Sequence, residues 1–274
     1  MPAPLTYAEW LTGVPALLDE VATSWGLTPG RAYPPGAVGH AVRVELADGT
    51  PAVLKLSNPD RETVKEPDAL ERYDGDGAVR LLARDDAHHA MLLERCEPGT
   101  FLSAAGEDVD TLGVFIGLLP RLWKSGDGFA SLEDEAAIWI DEITRDCRDS
   151  QLGDAALSYL RDLPSTQGEQ VLLHQDLHGE NVLAAQREPW LVIDPKPLVG
   201  EREFSIAPIV RSFELGHSKR DALYRLDRLT SELGLDRDRA LGWTIAQTVA
   251  WSGGGTHYWE PHVETVRWLL EAAA

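Results

Sequence analysis

The stretch LHQDLHGENVLAAQREPWLVIDPK, residues 173–196, decides how the rest of the chain is read. Asp176 is followed five positions later by Asn181, and a second carboxylate, Asp194, closes the apolar run Trp190-Leu-Val-Ile193. Transfer of a phosphoryl group to a hydroxyl needs these groups. An acceptor-only carboxylate orients the nucleophile and takes its proton as bonding develops. An amide oxygen and a further carboxylate suit a hard cation held on phosphates. An Asp with an Asn at this spacing is common by itself. His174, two positions before the Asp, and Asp194, thirteen after the Asn, make the pattern specific.

Upstream, the chain offers a lysine and an acid in the order such chemistry requires. Ala41–Leu46 alternates as a half-buried strand, Asp48-Gly49 reads as a hairpin turn, and Ala52–Leu56 as the returning strand. Lys55 lies inside that apolar run, either as an edge lysine with a buried stem or as a buried cation with a partner. A helix is predicted over 61–73. Pro67 fits only a first turn, which moves its start toward Glu66. Glu66 lies eleven residues after Lys55 and is its expected partner, the pair serving the donor phosphates. Gly36-Ala-Val-Gly39 is short of a full glycine-rich motif, and no Walker lysine follows. Gly36 and Gly39 are read as turn residues or as phosphate contacts.

The remaining pattern is coarse. A helix is expected over 6–26, capped by Thr6 with Glu9, and strands at 78–84 and 88–95. Glu97-Pro-Gly99 marks a boundary, dividing a strand-rich part, 1–96, from a helical part, 97–274. Helices are predicted at 106–124, 133–149, 153–163, 207–217, 219–233, 237–251 and 262–273.

These residues resemble the aminoglycoside phosphotransferase family, relatives of the protein kinases. That family's loop reads H-G-D-x-H-x-x-N, followed by a short strand and I-D. His174, Asp176, His178, Asn181, Ile193 and Asp194 stand in those places. The resemblance covers most of the chain and is strongest at 172–206. The extension Ile193-Asp-Pro-Lys-Pro-Leu-Val-Gly-Glu201 is similar to the streptomycin and hydroxyurea branch. The resemblance implies an α+β, two-lobed protein-kinase-like fold, with a small antiparallel-sheet N-lobe and a mainly helical C-lobe. It implies ATP and Mg²⁺, with Asp176 as catalytic base, Asn181 and Asp194 as magnesium ligands, and His174 and His178 as supports of the loop. Glu94 to Cys96 would be the hinge whose backbone bonds adenine. Two residues depart from the pattern. Gln175 replaces the usual Gly beside the base, and Glu180 replaces a small residue beside Asn181.

Other readings are weaker. His174 and His178 have zincin spacing, but Gln175 replaces the glutamate and Gly179 opposes a helix. No GxSxG elbow is present. A silent pseudokinase acting as a binding module rests on Gln175 and Glu180 alone. The formal charge of −20, from 45 acids and 25 bases, disfavours nucleic acid and anionic membranes and suits a cationic small molecule, or simply solubility. Trp251, Trp259, Glu260 and Glu264, with Gln175 beside the base, are candidate acceptor contacts, or ordinary packing between the last two helices. Cys96 and Cys147 form no metal or disulfide pattern, and neither a leader nor a spanning segment is read, which fits the cytoplasm. No obligate protein partner is evident. The expected function is phosphorylation of a streptomycin-type aminoglycoside, ahead of hydroxyurea and of an amino sugar or other metabolite.

Overall fold

In a computed structural model, the structure describes residues 6–34, 39–147, 149–254 and 257–273; Gly36 lies outside them. The chain divides into two compact units. The first comprises Met1–Gly99 together with Ala184–Ile193, and the second Thr100–Leu183 with Asp194–Ala274. The segment 184–193, which the sequence analysis assigns to the helical part, thus counts with the first unit.

The first unit opens with α1 (Tyr7–Ser24). Thr6 caps it, and the Glu9 carboxylate accepts from the Thr6 backbone N–H in return. Five antiparallel strands follow in the order β1-β2-β3-β5-β4: β1 (Thr28–Ala32), β2 (Gly39–Glu45), β3 (Pro51–Ser57), β4 (Leu81–Asp85) and β5 (Ala90–Glu94). β1 was not expected, because Pro29 and Gly30 read as loop. An edge strand tolerates a proline, since one side of it makes no ladder bonds. Ala52, Leu54 and Leu56 share one face of β3 and pack with Val42, Val44 and Leu92 against Val14, Val21 and Ala22 of α1. The alternation turns Lys55 to the opposite face. α2 (Glu66–Tyr73) starts at Glu66, as Pro67 requires.

The inserted segment is tied in by Arg187. Its guanidinium donates to both Glu94 carboxylate oxygens, to the carbonyls of Gly75 and Ala78, and to Glu188.

The second unit contains α3 (Thr111–Leu122), α4 (Leu132–Asp146), α5 (Ser150–Asp162), α6 (Ala207–Arg211), α7 (Lys219–Leu233), α8 (Arg237–Ser252) and α9 (Glu260–Ala273). α8 is buried at every position from Ala240 to Val249, as expected of a central helix. Trp243 of this helix continues an aromatic run through Phe204 to Trp139, with centroids 5.5 and 6.0 Å apart. Six short strands complete the set: β6 (Gln170–Leu173), β7 (Val182–Ala184), β8 (Trp190–Val192, in the first unit), β9 (Leu198–Glu201), β10 (Gly253–Gly254) and β11 (His257–Tyr258).

One helix is shorter than its sequence suggests. α6 stops at Arg211 instead of running to 217, and Phe213–Leu215 forms a single tighter turn. Arg225 of α7 explains this. Buried, it donates to the carbonyls of Val210, Leu215 and Gly216, fixing the chain in a non-helical path.

Candidate active site

β6 and β9 pair antiparallel, with Leu173 opposite Leu198. The pairing therefore brings the loop that leaves β6 beside the segment that enters β9. The Lys196 N–H donates to the His174 carbonyl at 3.0 Å and carries the contact one step further. The loop bearing Asp176 and the segment bearing Asp194 are thus brought together by strand pairing.

The loop is held tightly. Gln175 is buried with φ 64°, in the left-handed region that glycine enters at least cost. That conformation gives a physical reason for the Gly of the family pattern. The Gln175 carbonyl accepts from Gln247 Nε2 at 2.9 Å, while its own Nε2 has no hydrogen-bond partner among the described residues. The Asp176 N–H turns back to the His174 carbonyl at 2.8 Å. At Gly179 a Cβ would lie 2.9 Å from that of Ser103, so the loop backbone runs against the turn Leu102–Ala104 without room for a side chain.

Cations surround the Asp176 carboxylate. Lys196 Nζ lies 3.2 Å from Oδ2, Arg211 Nη2 3.7 Å from Oδ1, and His178 Nε2 3.9 Å from Oδ1. Burial works to raise its pKa, but Lys196, His178, Arg211 and His174 together hold it below the ordinary aspartate value. It is therefore held as an anion. Arg211 is itself buried, which pulls its pKa down to about 10, and its Nη1 donates to Gln247 Oε1 at 2.9 Å. Trp251 supports both cations. Arg211 Cζ and Lys196 Nζ each lie 4.8 Å from its ring centre. On the other side of the loop, Glu214 faces His178 Nδ1 at 3.5 Å and accepts the Gly179 N–H at 3.2 Å. The His178 pKa is raised. Its burial opposes protonation, but the bond to Glu214 and the charge of Asp176 outweigh that.

The donor set fits a magnesium ion. Asn181 is buried, and its Nδ2 donates to the Asp176 carbonyl at 2.8 Å and lies 3.2 Å from His178 Nε2. With the amide nitrogen committed there, Oδ1 is the atom of this side chain that could serve a cation. Asp194 adds a carboxylate from a left-handed residue, φ 60°. Among the described residues no cluster of three or more His, Cys, Asp or Glu could hold a metal ion unaided. Mg²⁺ typically takes one or two protein oxygens and completes its shell with phosphates and water, so two such ligands suffice for a metal that arrives with a nucleotide.

In the first unit, Lys55 Nζ lies 2.7 Å from each carboxylate oxygen of Glu66, and both side chains are buried. Gly39 belongs to the same arrangement. A Cβ there would press to 3.3 Å on Lys55 Cε and on the Leu56 carbonyl. The Glu94 side chain is engaged by Arg187 and by the Arg80 N–H, while its own N–H donates to the Arg80 carbonyl. Cys96 is buried, and that burial, helped by the nearby Glu94 charge, pushes its thiol up to about 12.

The candidate acceptor residues are spread. Trp251 lies with Lys196 and Arg211 by Asp176. Trp259 is exposed and packs edge-on against Phe213 at 4.8 Å, Glu260 lies 3.9 Å from Arg267, and Glu264 meets His217 at 2.8 Å. Sequence reasoning missed Arg211, Glu214 and Gln247 and gave Lys196 no role. Arg211 and Gln247 had a signal, being polar residues inside otherwise apolar helical runs. Glu214 had none.

This fold and this loop define a small-molecule O-phosphotransferase of the protein-kinase type. A choline kinase from Streptococcus pneumoniae superposes with a TM-score of 0.68 at 15% identity, over 95% of this chain and 99% of that one. The family model for aminoglycoside/hydroxyurea antibiotic resistance kinases matches residues 24–254, and the chain belongs to that family. A streptomycin 6-kinase from Streptomyces griseus is 39% identical over 87% of this chain and 81% of its own length. A hydroxyurea phosphotransferase from Kitasatospora aureofaciens is 37% identical over 88% and 73%.

Proposed function

We propose that the protein transfers the γ-phosphoryl group of ATP to a hydroxyl of a streptomycin-type aminoglycoside. The observation that carries this reading is the anionic Asp176, held among Lys196, Arg211 and His178 on the loop that also presents Asn181. Asp176 orients the acceptor hydroxyl and receives its proton. Asn181 and Asp194 would hold Mg²⁺, which would neutralise charge on the phosphate chain. Lys55, fixed by Glu66, binds donor phosphate oxygens. Gly39 leaves room for the Lys55 stem, and backbone from Glu94 to Cys96 bonds adenine. The aromatic and acidic residues Trp259, Glu260 and Glu264 serve the cationic acceptor, whose approach the net charge of −20 favours, while the buried Gln175 acts only through the shape of the loop.

The choice of acceptor is supported by the two streptomycin 6-kinases, at 39% and 38% identity. We assign the reaction to the cytoplasm, where ATP is available and both free cysteines stay reduced. No helix among the described residues is long and apolar enough to cross a membrane. The test is ADP release with ATP and Mg²⁺ against streptomycin, other aminoglycosides, hydroxyurea, glucosamine and neutral sugars. Streptomycin should give the highest kcat/KM. Turnover of hydroxyurea or glucosamine with none of streptomycin would reject the acceptor.

A further inference from the structure

Lys196 and Arg211 both face Asp176 and both lie over Trp251, yet they are held differently. Arg211 is buried, bonded to Gln247, and fixed at its planar head. Lys196 is a compact ammonium on a flexible stem, its side chain 22% exposed, and it sits 3.2 Å from Asp176 Oδ2. Its backbone is anchored: the N–H is bonded to the His174 carbonyl, two residues beyond Asp194. Its ammonium is thus the more exposed of the two cations, on a root fixed to the loop.

The seat of the ammonium has a chemical consequence. An acceptor hydroxyl must reach a free oxygen of Asp176 to surrender its proton, and Arg211 and His178 both approach Oδ1. Oδ2 is the oxygen that Lys196 covers. Resting on the reading above, we propose that Lys196 is a catalytic cation that exchanges anions during turnover. The acceptor hydroxyl displaces it from Asp176 Oδ2, and its ammonium moves to the oxygens of the transferring phosphoryl group. The bond from the acceptor oxygen to Pγ forms, and the bond from Pγ to the β–γ bridging oxygen breaks. The hydroxyl proton goes to Asp176 Oδ2, ADP departs with the bridging oxygen, and Lys196 remains protonated throughout. Trp251 guides the swing by offering the ammonium a π face along which it is never without a partner.

The roles predict a split in kinetic constants that a merely structural lysine would not give. In the full chain with ATP, Mg²⁺ and the best acceptor of the panel, Lys196→Met should lower kcat about a hundredfold, the loss of one preorganised transition-state cation. The acceptor KM should stay level or fall, because the hydroxyl no longer competes for Oδ2. Lys196→Arg, which keeps a charge, should recover at least about tenfold of the loss. Lys196→Gln carries the same comparison should the Met variant not fold. A Met or Gln variant with wild-type kcat overturns the proposal while leaving the assigned reaction intact. Equal losses in kcat and KM for Met, Gln and Arg alike overturn it in favour of a packing role. A wild-type protein that phosphorylates nothing in the panel overturns both readings together.

Discussion

Gln247 bonds the backbone of Gln175 from the centre of α8. Its Nε2 donates to the Gln175 carbonyl at 2.9 Å, while its Oε1 accepts from Arg211. One buried amide thus fixes the left-handed residue before Asp176 and the arginine behind it. Gln247→Leu would leave a buried carbonyl and a buried guanidinium N–H each without its partner. The expected cost is about 2–6 kcal/mol, from two desolvated groups at roughly 1–3 each. Chemical denaturation should show it, and kcat should fall with stability. An unchanged denaturation midpoint would remove Gln247 from this role.

Lys55 and Glu66 are both buried, so removing one leaves an uncompensated charge. Lys55→Met alone should cost about 3–5 kcal/mol, whereas Lys55→Met combined with Glu66→Leu should regain most of it. Thermal melting of the single and double variants measures this. Phosphotransfer should be lost in both, since the double variant restores packing and not a phosphate-binding cation. A double variant less stable than the single one would contradict the pairing.

Asp176→Asn keeps the shape of the side chain and removes its charge. Turnover should fall about 10²–10⁴-fold, the usual worth of a general base, while ATP affinity by calorimetry stays close to wild type. Near-wild-type phosphorylation by this variant would sink the assignment of the base.

Much of this was legible in the sequence where the pattern is local. The β2–β3 hairpin follows from strict alternation, and the start of α2 from Pro67. The Lys55–Glu66 pair follows from a charge placed inside an apolar strand with an acid on the next helix. What stayed hidden depends on contacts distant along the chain. β1 carries the composition of a loop and becomes a strand because β2 offers it a ladder. α6 ends early because Arg225, more than a dozen residues on, takes its carbonyls. The surroundings of Asp176 converge from the segment before β9, from α6 and from α8. No spacing rule links Lys196, Arg211 and Gln247. Trp251 stands out as an aromatic, but only folding reveals that its ring supports two cations of the protein itself.

His262 offers a pH handle. Its burial, and then the charge of Arg211, press its pKa down to about 3, and its Nδ1 has no hydrogen-bond partner among the described residues. Glu214, Asp176 and His217 are the other charged or titratable groups that act on it. In the unfolded chain the ring titrates near 6.5, so between 6.5 and 3 the unfolded state binds the extra proton. This contribution to stability is present above 6.5 and is lost as pH falls toward 3. Denaturant titrations at pH 7 and 4.5 should show a smaller drop for His262→Phe than for wild type. Parallel drops would exclude His262 as a source of acid sensitivity.

The assignment of Ala184–Ile193 to the first unit has a consequence for how such proteins can be recombined. A gene fragment ending at Gly99 encodes the strands but omits Arg187, which satisfies Glu94 and the carbonyls of Gly75 and Ala78. Single-crossover chimaeras with a relative, joined near residue 99, would therefore pair one parent's sheet with the other parent's arginine segment. Exchanging 1–99 and 184–193 together keeps each parent's Arg187 contacts whole, and it is that discontinuous block, not the N-terminal 99 residues alone, that can be inherited as a cassette.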